Sequence, residues 1–314
     1  MTVAIGRRVL LGPTASGKTP VALILAGKLG AEILSLDSMQ VYRGMDIGTA
    51  KPSTLDQAEV PHHLLDMVDP DEAFSVGQWL AAAAGAEADL ASRGKSSLFA
   101  GGTALYLKAL VSGLHSVPAP HPSLRQTLEE ELAVDGGRER LGVELKEADP
   151  ELHEGLHPHD DRRLLRGLEV WRSTGRPLSD WRRDWKETPF LGIPAVALCR
   201  PRETLHARIE GRLDAMLDGG FVAEVETIAQ GSGFGVTARR AIGYAEILDH
   251  LDGGLSLDEA RERILVSTRT LVRRQETWLR SFPDLVRLEA EEEEDAGSLA
   301  GRAAAILCGE VSSP

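Results

Sequence analysis

Cysteine is nearly absent: Cys199 and Cys308 are the only two, far apart and without partners at metal-ligand spacing. That excludes a disulfide framework and a zinc site, and both thiols read as small apolar side chains. Aromatic residues make up only 4% of the chain. No apolar run approaches the roughly 18 residues that cross a bilayer. With no secretory leader visible either, a cytoplasmic protein with no membrane partner is expected. Positive charge is also scarce, with 35 Lys and Arg against 48 Asp and Glu, a net charge of −13. Phosphate neutralisation needs Lys and Arg, so the total taken alone argues against a nucleic-acid partner. Much of the acid is local, however, in the runs 289–295 and 129–131. Arginines concentrate elsewhere, so the overall balance decides little. Internal repeats and long low-complexity segments are missing too. What remains is an ordinary globular composition, long enough at 314 residues for more than one domain.

The strongest signal is Gly12-Pro13-Thr14-Ala15-Ser16-Gly17-Lys18-Thr19. It lies between the apolar run Val9-Leu10-Leu11 and the helical pattern Val21-Ala22-Leu23-Ile24-Leu25-Ala26, the strand-to-helix context a phosphate-cradling P-loop requires. Glycines there let backbone N–H groups turn inward, the helix N-terminus adds partial positive charge, and the Lys18 ammonium reaches an outer phosphate. Thr19 would offer its hydroxyl to a magnesium ion. The loop does not say whether it holds a nucleoside triphosphate or another diphosphate compound.

Strands are expected over 9–11, 32–36, 96–100 and 194–199, with helices over 18–29, 75–94 and 104–111 between them. This β-α-β order predicts a parallel sheet whose ligand site lies at the strands' carboxyl ends. Asp37 falls at that edge, followed by a polar connection to Pro52 with no clean period, of the kind that more often serves function than packing. Ser75 opens its helix with a capping box to Gln78. The 96–100 strand ends in Ala100-Gly101-Gly102, where an ATPase would commonly carry a magnesium-binding carboxylate. That departure counts against nucleotide hydrolysis.

From 115 to 190 the pattern is helical, opened by prolines at 118, 120 and 122, and reads as an insertion into the α/β core. It holds Arg162, Arg163, Arg166, Arg172, Arg176, Arg182, Arg183 and Lys186, interleaved with Trp171, Trp181 and Trp185. Arginines with aromatics suit an RNA backbone and its exposed bases. Asp161, Glu169, Asp180, Asp184 and Glu187 allow a salt-bridged surface over a tryptophan core instead. Further helices are expected over 203–218, 222–229, 239–251 and 258–280. The last presents Arg269, Arg273 and Arg280 on one face, and the acidic run after 288 reads as surface or frayed chain.

Taken in order, the P-loop segment, the run from Asp37-Ser38-Met39-Gln40 to Lys51-Pro52, Pro61-His62-His63-Leu64, Gly101-Gly102-Thr103-Ala104-Leu105-Tyr106, Ala241-Ile242-Gly243-Tyr244 and Arg274-Gln275-Glu276-Thr277-Trp278 resemble the bacterial tRNA dimethylallyltransferases over nearly the whole chain. The resemblance implies a P-loop NTPase-like parallel sheet flanked by helices, divided as 1–114, 115–190 and 191–314, with the middle part an all-helical insertion that binds the tRNA anticodon stem-loop. It implies transfer of a dimethylallyl group from dimethylallyl diphosphate to N6 of an adenosine beside the anticodon, with Mg2+ as cofactor and a monomeric enzyme. Asp37 matches the family's general base, its alternatives being a magnesium ligand or a helix cap. Thr14 matches the threonine that bonds the bridging oxygen of the diphosphate. Arg212 matches the arginine that holds the diphosphate from the other side, its alternative being a pairing with neighbours on its own helix. RNA contacts are implied for Asp37, Ser38, Met39, Gln40, Thr103, Arg125, Asp161, Arg162, Arg163, Leu164, Leu165, Arg240, Ala241, Ile242, Gly243, Tyr244 and Ala245. Thr103-Ala104 departs from the commoner Thr-Gly, and Thr270-Leu271-Val272-Arg273 is a loose match. Two other readings of the P-loop are a small-molecule or nucleotide kinase and a non-catalytic RNA-binding protein. A GTPase would need an Asn-Lys-x-Asp motif that is missing.

Overall fold

The computed structural model describes residues 6–113, 121–181, 192–282, 285–291 and 294–309. The chain divides into two compact units, Met1–Val111 with Gly192–Pro314, and Ser112–Leu191.

The first unit is built on one six-stranded parallel sheet, in the order β3-β2-β4-β1-β5-β6. Its strands are β1 (Arg7–Leu11), β2 (Ala31–Leu36), β3 (His62–His63), β4 (Ser96–Gly101), β5 (Ala195–Cys199) and β6 (Val286–Glu289). β2 is buried along its full length and β1 from Arg8 onward, as strands covered on both faces require. Helices α1 (Lys18–Leu29), α2 (Thr54–Glu59), α3 (Val76–Ser92) and α4 (Ala104–Ser112) lie between the early strands. Ser75 caps α3 through the expected capping box with Gln78. Register fixes the functional edge: Gly101 pairs with Leu11 on one side and Leu36 on the other. The residues that follow β1, β2 and β4, namely the P-loop, Asp37 and Gly102, therefore leave the sheet at the same edge. Chain order reverses beside β1, whose neighbours are β4 and β5, so this edge is also the switch point where α/β proteins place ligands.

In the second unit, α5 (Pro122–Ala133), α6 (Gly137–Ala148), α7 (Pro150–Glu154) and α8 (Asp161–Thr174) surround a core of Leu128, Leu141, Leu145, Leu152, Leu164, Leu165, Leu168, Val170 and Leu178. Back in the first unit come α9 (Arg202–Asp218), α10 (Phe221–Gln230), α11 (Tyr244–Leu251), α12 (Leu257–Arg280) and α13 (Ala296–Leu307).

One expectation needs correction, and two elements were not foreseen. The acidic run after 288 lies at the surface at Glu289, Glu291 and Asp295, as expected, but Val286–Glu289 is a strand beside β5, and α13 buries Leu299, Ala300, Ala303 and Leu307 in the same core as α1. The helix expected over 239–251 begins at Tyr244, because Ala238–Arg240 forms a 3₁₀ turn and Gly243, at φ 92°, breaks the path between them. The residues Arg182, Arg183, Trp185 and Lys186, and the final Val311-Ser312-Ser313-Pro314, lie outside the described residues.

Candidate active site

Gly12 to Thr19 form the turn from β1 into α1. Gly17, at φ 90°, takes a left-handed conformation that a side chain would resist, and Ala15 is held there too, at φ 64°. Arginines from beyond the sheet stitch the loop's outward oxygens. Arg208 Nε donates to Ala15 O at 2.8 Å and Arg200 Nε to Ser16 O at 3.0 Å. Arg212 Nη2 donates to Thr14 Oγ1 at 2.7 Å. Arg208 and Arg212 stand four apart on α9, which brings both to one face of the helix. The pairing of Arg212 is thus across to the P-loop rather than along its own helix. Gln275 of α12 adds a further tie, accepting the Thr14 N–H at 2.9 Å and donating to Gly102 O at 3.1 Å.

Lys18 Nζ donates to Pro13 O at 2.7 Å. Burial pushes its ammonium down to about 8, the nearby Arg212 charge pushes the same way, and the Asp37 carboxylate opposes them. Burial also lowers Arg212, with Asp37 opposing and Arg208 adding to the fall. Asp37 is the negative group that both cations feel. Such a surplus of positive charge in a partly desolvated site calls for a polyanion.

Asp37 follows β2. Its Oδ1 accepts the N–H groups of Met39 at 2.8 Å and Gln40 at 3.4 Å, which shapes the turn and leaves Oδ2 to the site. The neighbouring strand end is shaped by crowding. A Cβ on Gly101 would collide with the Leu36 backbone, and one on Gly102 would lie 2.5 Å from Gln275 Nε2. The strand end Ala100-Gly101-Gly102 carries no carboxylate, and at Gly101 a side chain would meet backbone.

A cavity of about 700 Å³ opens over this edge. Thr14, Ala15, Gly17, Lys18, Thr19, Asp37, Ser38, Met39, Gln40, Thr103, Arg212, Arg240, Ala241, Ile242 and Tyr244 all line it. Gly12, Pro13 and Ser16 are buried in the turn, and Gly243 and Ala245 do not reach the lining. Ser38 N–H donates to Thr103 Oγ1 at 3.1 Å, joining the β2 and β4 ends. Tyr244 has no exposed surface, and its hydroxyl donates to Glu224 Oε1 at 2.6 Å. The same carboxylate accepts the N–H groups of Asp46, Ile47 and Gly48. Tyr244 therefore anchors the wall formed by the loop after Asp37 rather than reaching outward.

Sequence reasoning passed over Arg208, Gln275, Trp278 and His62 as cavity residues. The Arg274-Gln275-Glu276-Thr277-Trp278 segment was the available signal for two of them. For Arg208 it was the four-residue spacing to Arg212.

Among the described residues, no cluster of three or more His, Cys, Asp or Glu could enclose a cation. Thr19 offers one hydroxyl, exposed at the cavity lip. That donor set fits magnesium, which keeps much of its water and takes phosphate oxygens alongside one or two protein ligands.

The remaining expected residues belong to the helical unit. Leu164 and Leu165 are buried in its core, so packing occupies their side chains. Arg162 and Arg163 beside them are exposed. Asp161 pairs with Arg138 at 2.9 Å and Arg125 with Glu129 at 2.7 Å. Arg172 is bonded to both Glu131 and Glu144, and Arg176 stacks over Trp181 at 4.3 Å. Much of this basic stretch is internally paired.

Comparison with known proteins shows what the chain is similar to. The family model described as IPP transferase matches residues 40–282, and that of isopentenyl transferase matches 5–63. A protein of Syntrophobacter fumaroxidans named tRNA dimethylallyltransferase is 45% identical over 280 residues, covering 88% of this chain and 81% of that one. The crystal structure of a tRNA delta(2)-isopentenylpyrophosphate transferase from Staphylococcus epidermidis aligns with a TM-score of 0.70 at 30% identity, covering 98% of this chain and all of that one. A eukaryotic dimethylallyltransferase described as acting on tRNA aligns at 0.79 with 26% identity, over 96% of this chain and 78% of that one. With the P-loop, the Asp37 turn and the Arg274-Gln275 segment meeting at one sheet edge, and a family model spanning residues 40–282, the chain belongs to the IPP transferase family.

Proposed function

We propose that this protein transfers a dimethylallyl group from dimethylallyl diphosphate to the N6 amine of an adenosine beside the anticodon of tRNA, releasing diphosphate. The observation that carries the reading is one cavity in which Lys18 of the P-loop and Arg212 of α9 face the carboxylate of Asp37, beside the strand end Ala100-Gly101-Gly102, which carries no acid. The names of the relatives, tRNA dimethylallyltransferase and tRNA isopentenylpyrophosphate transferase, support the donor and the acceptor.

The diphosphate sits in the P-loop, against Lys18 and Arg212. Thr14 accepts from Arg212, so its own hydroxyl proton is free to donate to the bridging oxygen. The amine attacks the allylic carbon; the new N–C bond forms as the C–O bond breaks, and the electron pair departs with diphosphate. Donors placed where that charge develops lower the barrier. Asp37 Oδ2 accepts the N6 proton, a transfer typically worth about 10² to 10⁴ in rate. Thr19 would hold a magnesium ion, which when bound would supply neutralisation of the leaving group's charge. Residues 37–40, Thr103 and Arg240 to Ile242 form the wall that meets the RNA. In the helical unit, Arg162 and Arg163 meet its phosphates, while Arg125 and Asp161 shape that surface.

The test is to incubate the protein with magnesium and unmodified tRNA, adding either dimethylallyl diphosphate or ATP, and to weigh the digested nucleosides by mass spectrometry. Dimethylallyl adenosine formed only with the allylic diphosphate is expected. Unmodified RNA alongside ATP consumption would move the assignment to a kinase.

A further inference from the structure

Gln275 lies on α12 and lines the cavity with its neighbours Arg274 and Trp278, its side chain bonded to the P-loop. Its amide spans two backbone groups on different elements, accepting from Thr14 N at 2.9 Å and donating to Gly102 O at 3.1 Å. The orientation of that amide is fixed by chemistry. Exchanged, it would set a donor against the Thr14 N–H and an acceptor against the Gly102 carbonyl. The site is also shaped around it, since a Cβ on Gly102 would lie 2.5 Å from Gln275 Nε2. Thr14 is therefore held twice, by Gln275 at its backbone N–H and by Arg212 at its hydroxyl oxygen. In a P-loop, N–H groups ordinarily face the phosphates. Here the Thr14 N–H is drawn off to Gln275, and the Thr14 hydroxyl is what that residue has left to offer the ligand.

We infer that Gln275 is a positioning residue for the leaving group: by clamping the Thr14 backbone to the Gly102 turn, it aims the Thr14 hydroxyl proton at the oxygen on which charge develops. The inference rests on the transfer reaction proposed above. It makes Gln275 act through Thr14, so removing the amide slows the chemical step while leaving the diphosphate cradle of Lys18, Arg208 and Arg212 in place.

The experiment is a double-mutant cycle in single-turnover transfer, with inorganic diphosphate affinity measured in parallel by titration calorimetry. Gln275→Met keeps length and helix propensity but removes both hydrogen bonds. Gly102→Ala displaces the same amide from the other side and serves if the first variant folds poorly. Each is expected to lower the single-turnover rate by about tenfold or more, as small misplacements of reacting groups do, with the diphosphate Kd within about threefold. In a Thr14→Ala background, Gln275→Met is expected to cost nothing further, the mark of groups that act as one unit. If Gln275→Met slows the Thr14→Ala enzyme by the same factor as it slows the wild type, the two act independently and the inference is overturned. Wild-type protein that transfers nothing overturns the reaction and this role with it, whereas a transferring wild type with multiplying losses overturns this role alone.

Discussion

Replacing Asp37 by asparagine separates the chemistry of the carboxylate from its part in the turn. An asparagine Oδ1 accepts the Met39 and Gln40 N–H groups as the aspartate does, so the loop keeps its shape. Alanine leaves both N–H groups without that acceptor, at about 1 kcal/mol each. What asparagine removes is the proton-accepting oxygen and the negative charge. Loss of a positioned base costs about 10² to 10⁴ in rate. Loss of the charge adds to this, because Asp37 is the group that favours the charged forms of Lys18 and Arg212. Without it Lys18 is pushed lower still. Single-turnover transfer, tRNA binding by filter retention and thermal unfolding would be measured together. Asp37→Asn is expected to cut transfer at least about 10²-fold, with tRNA affinity and unfolding midpoint close to wild type. Asp37→Ala should lose as much transfer and also melt several degrees lower. Transfer by Asp37→Asn within about tenfold of wild type would refute the base assignment, since that is below the range positioned bases supply.

Three further outcomes are expected. Lys18 titrates at about 8 when folded against 10.5 when free, so between those values the unfolded chain holds a proton that the native state has lost. Stability should rise across that window relative to Lys18→Met, by about 1–3 kcal/mol in denaturant unfolding at pH 7.5 and pH 10.5; a pH-independent difference would sink this account. Glu224→Gln leaves one acceptor oxygen for four donors, the N–H groups of Asp46, Ile47 and Gly48 and the Tyr244 hydroxyl. It should cost about 1–3 kcal/mol in urea unfolding, and an unchanged midpoint would show that the loop does not depend on this carboxylate. In the helical unit, Arg163→Ala should weaken tRNA binding and flatten its salt dependence by about one ion. Arg172→Ala, which breaks the bonds to Glu131 and Glu144, should lower stability and leave the salt slope alone; equal slopes for the two variants would contradict that division.

The fold was legible wherever one local pattern decided the structure. The apolar run, the glycines and Lys18 specify a strand, a loop and a helix together, and the Ser75-to-Gln78 box marks the start of α3 from four letters. The C-terminal elements escaped because their evidence is not local. Val286–Glu289 becomes a strand only because β5 leaves an edge for it, and α13 is a stripe of alanine, glycine and leucine whose meaning is the α1 surface it covers. Composition ranked those residues by the carboxylates nearby, whereas packing ranks them by what lies opposite.

Within the site, the sequence singled out charged residues that the structure brings to one cavity, and missed those that hold them. Asp37, Lys18 and Arg212 could be named from motifs because each carries a charge or a fixed place in one. Gln275 and Glu224 do their work on backbone groups more than 170 positions away in the chain, through contacts visible only when the sheet edge is assembled. A backbone partner has no residue type, so such pairs leave no paired signature in a single sequence. The same logic corrects Leu164, Leu165 and Tyr244. Each lies within a segment that the resemblance linked to RNA, but its side chain is buried and packs inside the fold. Periodicity already separates the two roles on α8, where Arg162 and Arg163 are exposed and the next two residues fill the core. A segment-wide assignment of binding residues therefore divides, residue by residue, into those that meet the ligand and those that keep the others in place.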